Sequence, residues 1–193
     1  MEQLRVLIAE DNELVALTLE EQLATLGYTV VGVARTGKEA VRLCEQLLPD
    51  VVLMDMQMPD LGGDAAARQI TNRVPRPIIM LTAYSDAEHV RKAEAAGALA
   101  YLVKPINPEV LPATIEVALA RFNELEQLRN RVDELQDTLD SRKVIERAVG
   151  ILMRRLGVEH HEADQRLQQR AADKGQPLKE IAQAIVDAEA LFV

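Results

Sequence analysis

The stretch VVLMDMQMPDLGG, residues 51–63, decides the fold of this 193-residue chain. Its apolar run is too short for a helix and ends at Asp55, and a proline and two glycines follow. This pattern predicts a buried parallel strand that ends at the rim of a sheet, with a turn behind it. Ligands bind at the carboxyl ends of strands in open α/β sheets, so we expect Asp55 to lie in a functional site.

Similar short apolar segments lie on both sides of this strand and alternate with helical patterns. Strands are expected at 4–9, 29–33, 77–82 and 100–103. Helices are expected at 14–26, 36–48, 63–73 and 85–97, with a fifth that begins near Asn107 or Pro108. In the first of these helices, the apolar residues that recur at helical spacing are Leu14, Leu17, Leu19, Leu23 and Leu26. Five strands that alternate with five helices predict an α/β fold with a five-stranded, doubly wound parallel sheet.

Composition limits the classes of protein to which the chain can belong. The net charge of −9 argues against binding nucleic acid over the whole surface, although it leaves room for a local basic face. Cys44 is the only cysteine, so a disulfide framework and a zinc cluster are excluded, and its apolar neighbours indicate a core residue without a redox role. No apolar run is long enough to span a membrane and no signal-peptide pattern opens the chain, so we expect a cytoplasmic protein with no membrane partner.

Polar residues follow successive strands, at the same rim of the predicted sheet: Glu10-Asp11, Asp55, Thr82 and Lys104. Crowded carboxylates repel one another, and a hard cation such as Mg²⁺ relieves the repulsion while keeping coordination positions open. Lys104 and Thr82 suit the oxygens of a phosphoryl group. An aspartate beside a metal ion can act as a nucleophile, so the pattern predicts that Asp55 becomes an aspartyl phosphate.

These residues, with Tyr101 and Pro105, resemble the receiver domain of two-component response regulators over Leu4 to about Leu119. The resemblance implies a flavodoxin-like fold and phosphorylation of Asp55 by a sensor histidine kinase. It implies a signalling protein that catalyses only its own phosphoryl transfer and autodephosphorylation, with Lys104 and Thr82 assisting Asp55.

The same resemblance implies roles for individual residues. Asp11 would bind Mg²⁺ directly, Glu10 would act mainly through water, and Asp55 and the backbone carbonyl of Gln57 would complete the protein ligands. Glu10 departs from the family, where aspartate is common at this place. Thr82 and Tyr101 would form the switch pair, and the peptide bond before Pro105 is usually cis in the family. Gln57 and Tyr84 flank the site and are expected to set the lifetime of the phosphoryl group.

A hydrolase is the main rival interpretation of the Asp55 strand. Phosphatases of the haloacid dehalogenase type also use an aspartate after a strand, but they need a second acid two residues later. That position holds Gln57, which cannot serve as a general acid. The residues therefore favour the phosphoacceptor.

A heptad pattern follows the receiver-like region. Its apolar positions are Leu125, Leu128, Val132, Leu135 and Leu139. Charged residues surround these positions, and alternating spacings of three and four are typical of a coiled coil. We favour a parallel homodimer that forms at least when the receiver is phosphorylated. A helix that packs on its own domain is the alternative.

The last 53 residues are predicted to form a bundle of three short helices. The first ends at Gly157, the second covers about 159–174, and Pro177 opens the third. The first helix is rich in cations, against the single acid Glu146: Arg142, Lys143, Arg147, Arg154 and Arg155. Such a local excess of positive charge favours phosphate binding.

This segment resembles the ANTAR domain in the run RKVIERAVGILM, residues 142–153, and in the apolar positions that follow. The resemblance implies binding of an RNA hairpin and antitermination of transcription, as in antiterminator response regulators. Arg142, Lys143, Arg147, Arg154, Arg155 and Arg170 are the predicted RNA contacts, since arginine planes must replace the scarce aromatic side chains. Gly150 costs about 1 kcal/mol relative to alanine in mid-helix, so we expect a close helix approach there.

Two alternatives for the output stay open, namely a DNA-binding domain and a domain that binds only protein. His160-His161 is expected in a turn before the second helix of the bundle, and without a nearby cysteine it is not expected to bind metal. The predicted organisation is a receiver over 1–119, a helical coiled-coil linker over 120–140 and an ANTAR-like RNA-binding domain over 141–193.

Overall fold

A computed structural model describes residues 3–83 and 97–190 of the chain. Its strands are β1 (Arg5–Ala9), β2 (Thr29–Ala34), β3 (Val51–Asp55), β4 (Ile78–Thr82) and β5 (Ala100–Val103). Its helices are α1 (Glu13–Thr25), α2 (Gly37–Leu47), α3 (Gly63–Arg73), α4 (Leu111–Leu156), α5 (His160–Lys174) and α6 (Leu178–Ala190). Tyr84 and nearly all of the helix predicted over 85–97 lie outside the described residues.

The sheet confirms the predicted fold. All five strands are parallel, in the order β2-β1-β3-β4-β5, and every residue of β3 and β4 is buried. The order reverses between β1 and β3, which are neighbours in the sheet. In doubly wound sheets the ligand crevice lies at such a reversal, and Asp55 is the last residue of β3.

Helices cover both faces of this sheet and create two apolar cores. On one face α2 and α3 pack against β1, β3 and β4, through residues such as Cys44 and Ile70. On the other face α1 and the first turns of α4 pack against the same strands, through residues such as Leu23 and Ile115. Thr36 caps α2, because its hydroxyl accepts the backbone N–H of Glu39 at 3.2 Å.

Only part of the apolar pattern of α1 is buried. Leu19 and Leu23 are buried together with Ala16, but Leu14 and Leu17 are 74% and 48% exposed. Residues 16, 19 and 23 lie on one side of the helix, and that side packs on the sheet. The leucines outside this stripe therefore remain partly in solvent, including Leu26 at 38% exposure.

The helix predicted from Asn107 or Pro108 begins later, at Leu111. Asn107 forms a turn instead, because its side-chain oxygen accepts the backbone N–H of Glu109 at 2.9 Å and its carbonyl accepts that of Val110 at 3.2 Å. Leu111 is fully buried and is the first residue of α4 to join the core.

The C-terminal region contains a third apolar core. Residues near the end of α4 pack with α5 and α6, including Ala148, Leu167 and Ala182, which are 0–1% exposed. The first of the three predicted helices of this bundle is the end of the 46-residue helix α4, which ends at Leu156, just before Gly157. His160 and His161 also belong to the first turn of α5, whose N-cap is Glu159, rather than to a preceding turn.

The chain divides into two compact units, residues 1–126 and 127–193. The sheet and its covering helices belong to the first unit, and the third core belongs to the second. Within the described ranges no helix combines the length and the hydrophobicity that crossing a membrane requires.

Candidate functional site

Three carboxylates meet at the carboxyl end of the central strands. Glu10 follows β1 directly, Asp11 comes next, and Asp55 ends β3. One oxygen from each lies within 4.8 Å of the others. Glu10 and Asp55 are 1% and 7% exposed, whereas Asp11 is exposed. The sheet register brings them together, since Ala9 pairs with Met54 and the next residues of each strand carry the acids.

Lys104 bridges two of these acids. Its ammonium nitrogen lies 2.5 Å from an oxygen of Glu10 and 2.9 Å from an oxygen of Asp55. The chain after β5 positions this side chain, because the backbone N–H of Lys104 donates to the carbonyl of Thr82 at 2.8 Å. The sequence predicted that Lys104 would serve a phosphoryl group, but its hydrogen bond to Glu10 was not foreseen. Glutamate is one methylene longer than aspartate, which extends the reach of its carboxylate.

The bridge changes the proton affinities of both partners. Burial raises the pKa of the Glu10 carboxyl above its ordinary 4.5, and the hydrogen bond from Lys104 offsets this only in part. Burial alone would lower the pKa of the Lys104 ammonium, but hydrogen bonds to Asp55 and Glu10 outweigh it and raise that pKa above 10.5. Lys104 therefore stays charged near neutral pH and acts as an internal counter-ion.

Backbone hydrogen bonds fix the loop that follows Asp55. The N–H of Met56 donates to the carbonyl of Leu81 at 3.0 Å, and the N–H of Gly63 donates to the carbonyl of Met56 at 3.0 Å. A β-carbon on Gly63 would lie 1.8 Å from the carbonyl oxygen of Asp55, so only glycine fits at the start of α3. The sequence indicated a turn at the paired glycines but not this contact with the residue at the site.

The other predicted receiver residues occupy different environments. Thr82 ends β4 and is 4% exposed, while Tyr101 in β5 is 44% exposed. The backbone N–H of Gln57 approaches a carboxylate oxygen of Asp55 at 3.3 Å. The bond between Lys104 and Pro105 is cis, as expected. Metal coordination by the carbonyl of Gln57 and a switch formed by Thr82 and Tyr101 stay predictions.

Ion pairs divide the cations of the C-terminal unit into two groups. Three of the six predicted RNA contacts pair with acids: Arg142 with Glu146, Lys143 with Asp140, and Arg155 with Glu189. No ion pair joins the other three to an acid in the part of the chain that the structure describes; they are Arg147, Arg154 and Arg170. All six side chains are exposed. The acids that pair with Arg142 and Lys143 are four and three residues away in α4, a spacing that the sequence shows, whereas the pair of Arg155 with Glu189 joins residues 34 positions apart.

No other helix among the described residues packs closely against Gly150, contrary to the prediction from its place in mid-helix. Among the described residues, a β-carbon built on Gly150 meets one atom within 4 Å outside its neighbouring helix backbone, the guanidinium Nη1 of Arg154 at 3.8 Å. That is an ordinary van der Waals distance. The prediction of a packing role is therefore wrong, because α4 buries Ala148, Val149 and Ile151 against α5 and α6 and leaves Gly150 outside that contact.

Comparison with known proteins assigns the chain to a family. The model of the response regulator receiver domain matches residues 6–116, and the model of the ANTAR domain matches residues 133–186. The chain is 41% identical over 183 residues to the transcriptional regulatory protein PdtaR of Mycobacterium tuberculosis. The aligned region covers 95% of this chain and 89% of that relative. The chain belongs to the response regulator family. As a receiver joined to an ANTAR domain, it is a response regulator with an RNA-binding antiterminator output domain, a signalling protein rather than a conventional enzyme.

Solved structures agree with the fold of this response regulator. The signal receiver domain of a modulated diguanylate cyclase from Desulfovibrio desulfuricans is 37% identical, with a TM-score of 0.59, and covers 65% of this chain and 99% of that one. A LuxR-family response regulator from Aurantimonas is 31% identical, with a TM-score of 0.58, and covers 62% of this chain and 86% of that one.

The acidic cluster of the response regulator is chemically suited to a metal ion. Its three carboxylates offer hard oxygen donors, which divalent cations such as Mg²⁺ prefer. The buried, crowded pair Glu10 and Asp55 also needs positive charge nearby, and Lys104 supplies one cation for two acids. The donor set therefore fits a divalent cation, with Asp11 as its solvent-facing member.

Proposed function

We propose that this response regulator is phosphorylated on Asp55 by a sensor histidine kinase and that phosphorylation controls RNA-hairpin binding by its C-terminal unit, which antiterminates transcription. The observation that supports this proposal is the position of Asp55 at the reversal of the sheet, 2.9 Å from the Lys104 ammonium and beside Glu10 and Asp11. Family membership supports the kinase and the RNA target.

In the proposed transfer, an Asp55 oxygen bonds to the phosphorus of a phosphohistidine. The bond from phosphorus to the imidazole nitrogen breaks, and that nitrogen keeps the electron pair. Lys104 would turn toward the arriving phosphoryl oxygens, and the Thr82 hydroxyl would donate a hydrogen bond to one of them. Mg²⁺, when bound by Glu10, Asp11, Asp55 and the carbonyl of Gln57, would add positive charge at the phosphoryl group. The same groups would support autodephosphorylation by water.

Phosphorylation of matched variants tests this assignment. Asp55→Asn removes the nucleophile with almost no change of shape, so we expect no alkali-labile phosphoprotein after incubation with acetyl phosphate and Mg²⁺. Asp60→Asn is the matched control, because Asp60 is exposed in the same loop and its φ of 65° suits asparagine. Persistent labelling of Asp55→Asn would show that another residue accepts the phosphoryl group.

The proposed RNA surface uses the six cations Arg142, Lys143, Arg147, Arg154, Arg155 and Arg170. We expect Arg147, Arg154 and Arg170 to contribute most to hairpin affinity, because no salt bridge within the described residues has to break when they bind phosphate. Salt titrations with an RNA hairpin and a DNA duplex in parallel test the output. Preference for the hairpin with a steep salt slope supports it. Preference for the duplex indicates a DNA-binding regulator, and no binding to either indicates a protein partner.

We also propose that α4 forms a parallel coiled-coil homodimer. Its five heptad positions expose apolar side chains, at fractions from 44% to 60%: Leu125, Leu128, Val132, Leu135 and Leu139. Two hairpin-binding units in one dimer would gain affinity through avidity. The solution mass with and without beryllofluoride, a phosphoryl mimic, tests this proposal, with Leu135→Glu expected to give a monomer and the exposed Glu134→Gln as control. A mass that stays monomeric for the wild-type chain in both conditions would rule out the seam.

The proposed organisation keeps a receiver over 1–119, a linker over 120–140 and an RNA-binding domain over 141–193. We also propose that the protein acts in the cytoplasm, because a nascent transcript is its proposed target.

A further inference from the structure

One face of α4 combines a glycine with two arginines that form no ion pair with an acid among the described residues. Arg147, Gly150 and Arg154 are spaced by three and four residues and therefore lie on the same side of the helix. Both arginines are exposed, and no ion pair joins either to an acid within residues 3–83 and 97–190. The core residues Ala148 and Val149 occupy the opposite side.

Nothing inside the described unit requires glycine at position 150. The residue lies within a helix, its φ is not in the left-handed region, and a β-carbon there would have room. Glycine is nevertheless among the poorest residues for a helix interior, since it has the largest backbone entropy to lose. No contact among the described residues accounts for the glycine, and the missing side chain leaves room for another molecule to approach the helix backbone.

The charge of this face identifies that molecule. The stretch 147–154 contains no acid, Arg147 precedes the glycine by three residues and Arg154 follows it by four. The guanidinium Nη1 of Arg154 reaches back to 3.8 Å from the position of a Gly150 β-carbon. A second copy of the chain that packed on this face about a two-fold axis would bring four arginines together without a counter-charge. A polyanion has the complementary charge, and arginine binds phosphate oxygens in a bidentate manner.

We propose that Gly150 is a specificity position of the RNA site, where the sugar–phosphate backbone of a hairpin packs directly against α4 while Arg147 and Arg154 bind the phosphates on either side. This inference rests on the proposed binding of RNA by the C-terminal unit. Any side chain at position 150 would block this contact. A substitution of Gly150 should therefore stabilise the helix and at the same time weaken its binding to RNA.

Substitution of Gly150 tests the inference, because the two effects have opposite signs. Gly150→Ala and Gly150→Leu should raise the thermal midpoint of the full-length chain, since both residues favour helix over glycine. We expect the dissociation constant for a bound RNA hairpin to rise about tenfold for alanine and further for leucine, as the larger side chain holds the RNA backbone away. Ala184→Leu, at an exposed position of α6, is the matched control and should leave affinity unchanged.

Arg147→Ala separates failure of this inference from failure of the proposed function. If that variant loses affinity while both Gly150 variants bind RNA like the wild type, the RNA site stands and the role of Gly150 is wrong. A lower thermal midpoint for Gly150→Ala would also overturn the inference, because the glycine would then serve packing within the chain. If the wild-type chain binds no hairpin, the proposed function fails and the inference fails with it.

Discussion

Replacing Lys104 by methionine should destabilise the receiver unit, because it removes the only cation that pairs with the carboxylates of Glu10 and Asp55 among the described residues. Methionine keeps the length of the side chain without its charge. Removing one partner of a buried ion pair costs roughly 3–5 kcal/mol, since the remaining charge is left uncompensated. The Lys104 side chain is 21% exposed, so we expect a loss near the lower limit, about 3 kcal/mol.

Urea unfolding without divalent metal measures this loss. With a slope of about 2 kcal/mol per molar, a loss of 3 kcal/mol lowers the midpoint by roughly 1.5 M. Mg²⁺ should restore more stability to Lys104→Met than to the wild type, because it binds only the folded cluster and no longer competes with the lysine. Lys38→Met is the control, since Lys38 is exposed on α2 and has no acid partner among the described residues.

Two results would refute this account of the cluster. A midpoint within 0.5 M of the wild type would mean that solvent already screens the two carboxylates. An equal response of both proteins to Mg²⁺ would mean that Lys104 and the metal do not share the same acids.

Three further predictions concern single residues. Without metal, the stabilisation associated with Glu10 is complete below pH 4.5 and is lost as pH rises through the raised pKa of its carboxyl, so Glu10→Gln should flatten the dependence of the urea midpoint on pH between 4 and 7. Burial raises the pKa of the Cys44 thiol to about 11, so at pH 8 only roughly one thiol in a thousand is ionised and iodoacetamide should label the protein only after unfolding. Gly63→Ala, whose β-carbon would lie 1.8 Å from the Asp55 carbonyl oxygen, should lower the urea midpoint and slow labelling by acetyl phosphate. Gly62→Ala is its control, because a β-carbon there approaches only the end of one side chain, and equal losses in both variants would contradict the role of the contact.

The sheet and its acidic rim could be predicted because their signals are local. An apolar run of four or five residues that ends in a polar residue indicates both the strand and its edge, so Asp55 and Thr82 could be placed at strand ends. The parallel order then brings those ends together, whichever loops connect them. This is why the cluster of Glu10, Asp11 and Asp55 followed from residues far apart in the chain.

The features that were missed depend on contacts between distant parts of the chain. Which leucines of α1 are buried depends on the side of the helix that packs on the sheet. The spacing of the leucines alone does not show that Leu14 lies on the other side. The bond from Lys104 to Glu10 joins residues 94 positions apart and depends on side-chain reach. Gly150 shows the opposite error. The low helix propensity of glycine led us to predict close helix packing at this position, but the described residues make no such contact there.

Helix α4 belongs to two cores at once, and this has a consequence for how the regulator can be divided or recombined. Its first turns complete the core on one face of the sheet. Its last turns contribute Ala148, Val149 and Ile151 to the C-terminal core. A cut at residue 141 would leave four backbone N–H groups without partners at a new helix end, directly beside Val144 and Ile145. The C-terminal unit is therefore best excised with several preceding turns of α4, and exchange with another receiver requires a donor that ends in a helix able to continue into it.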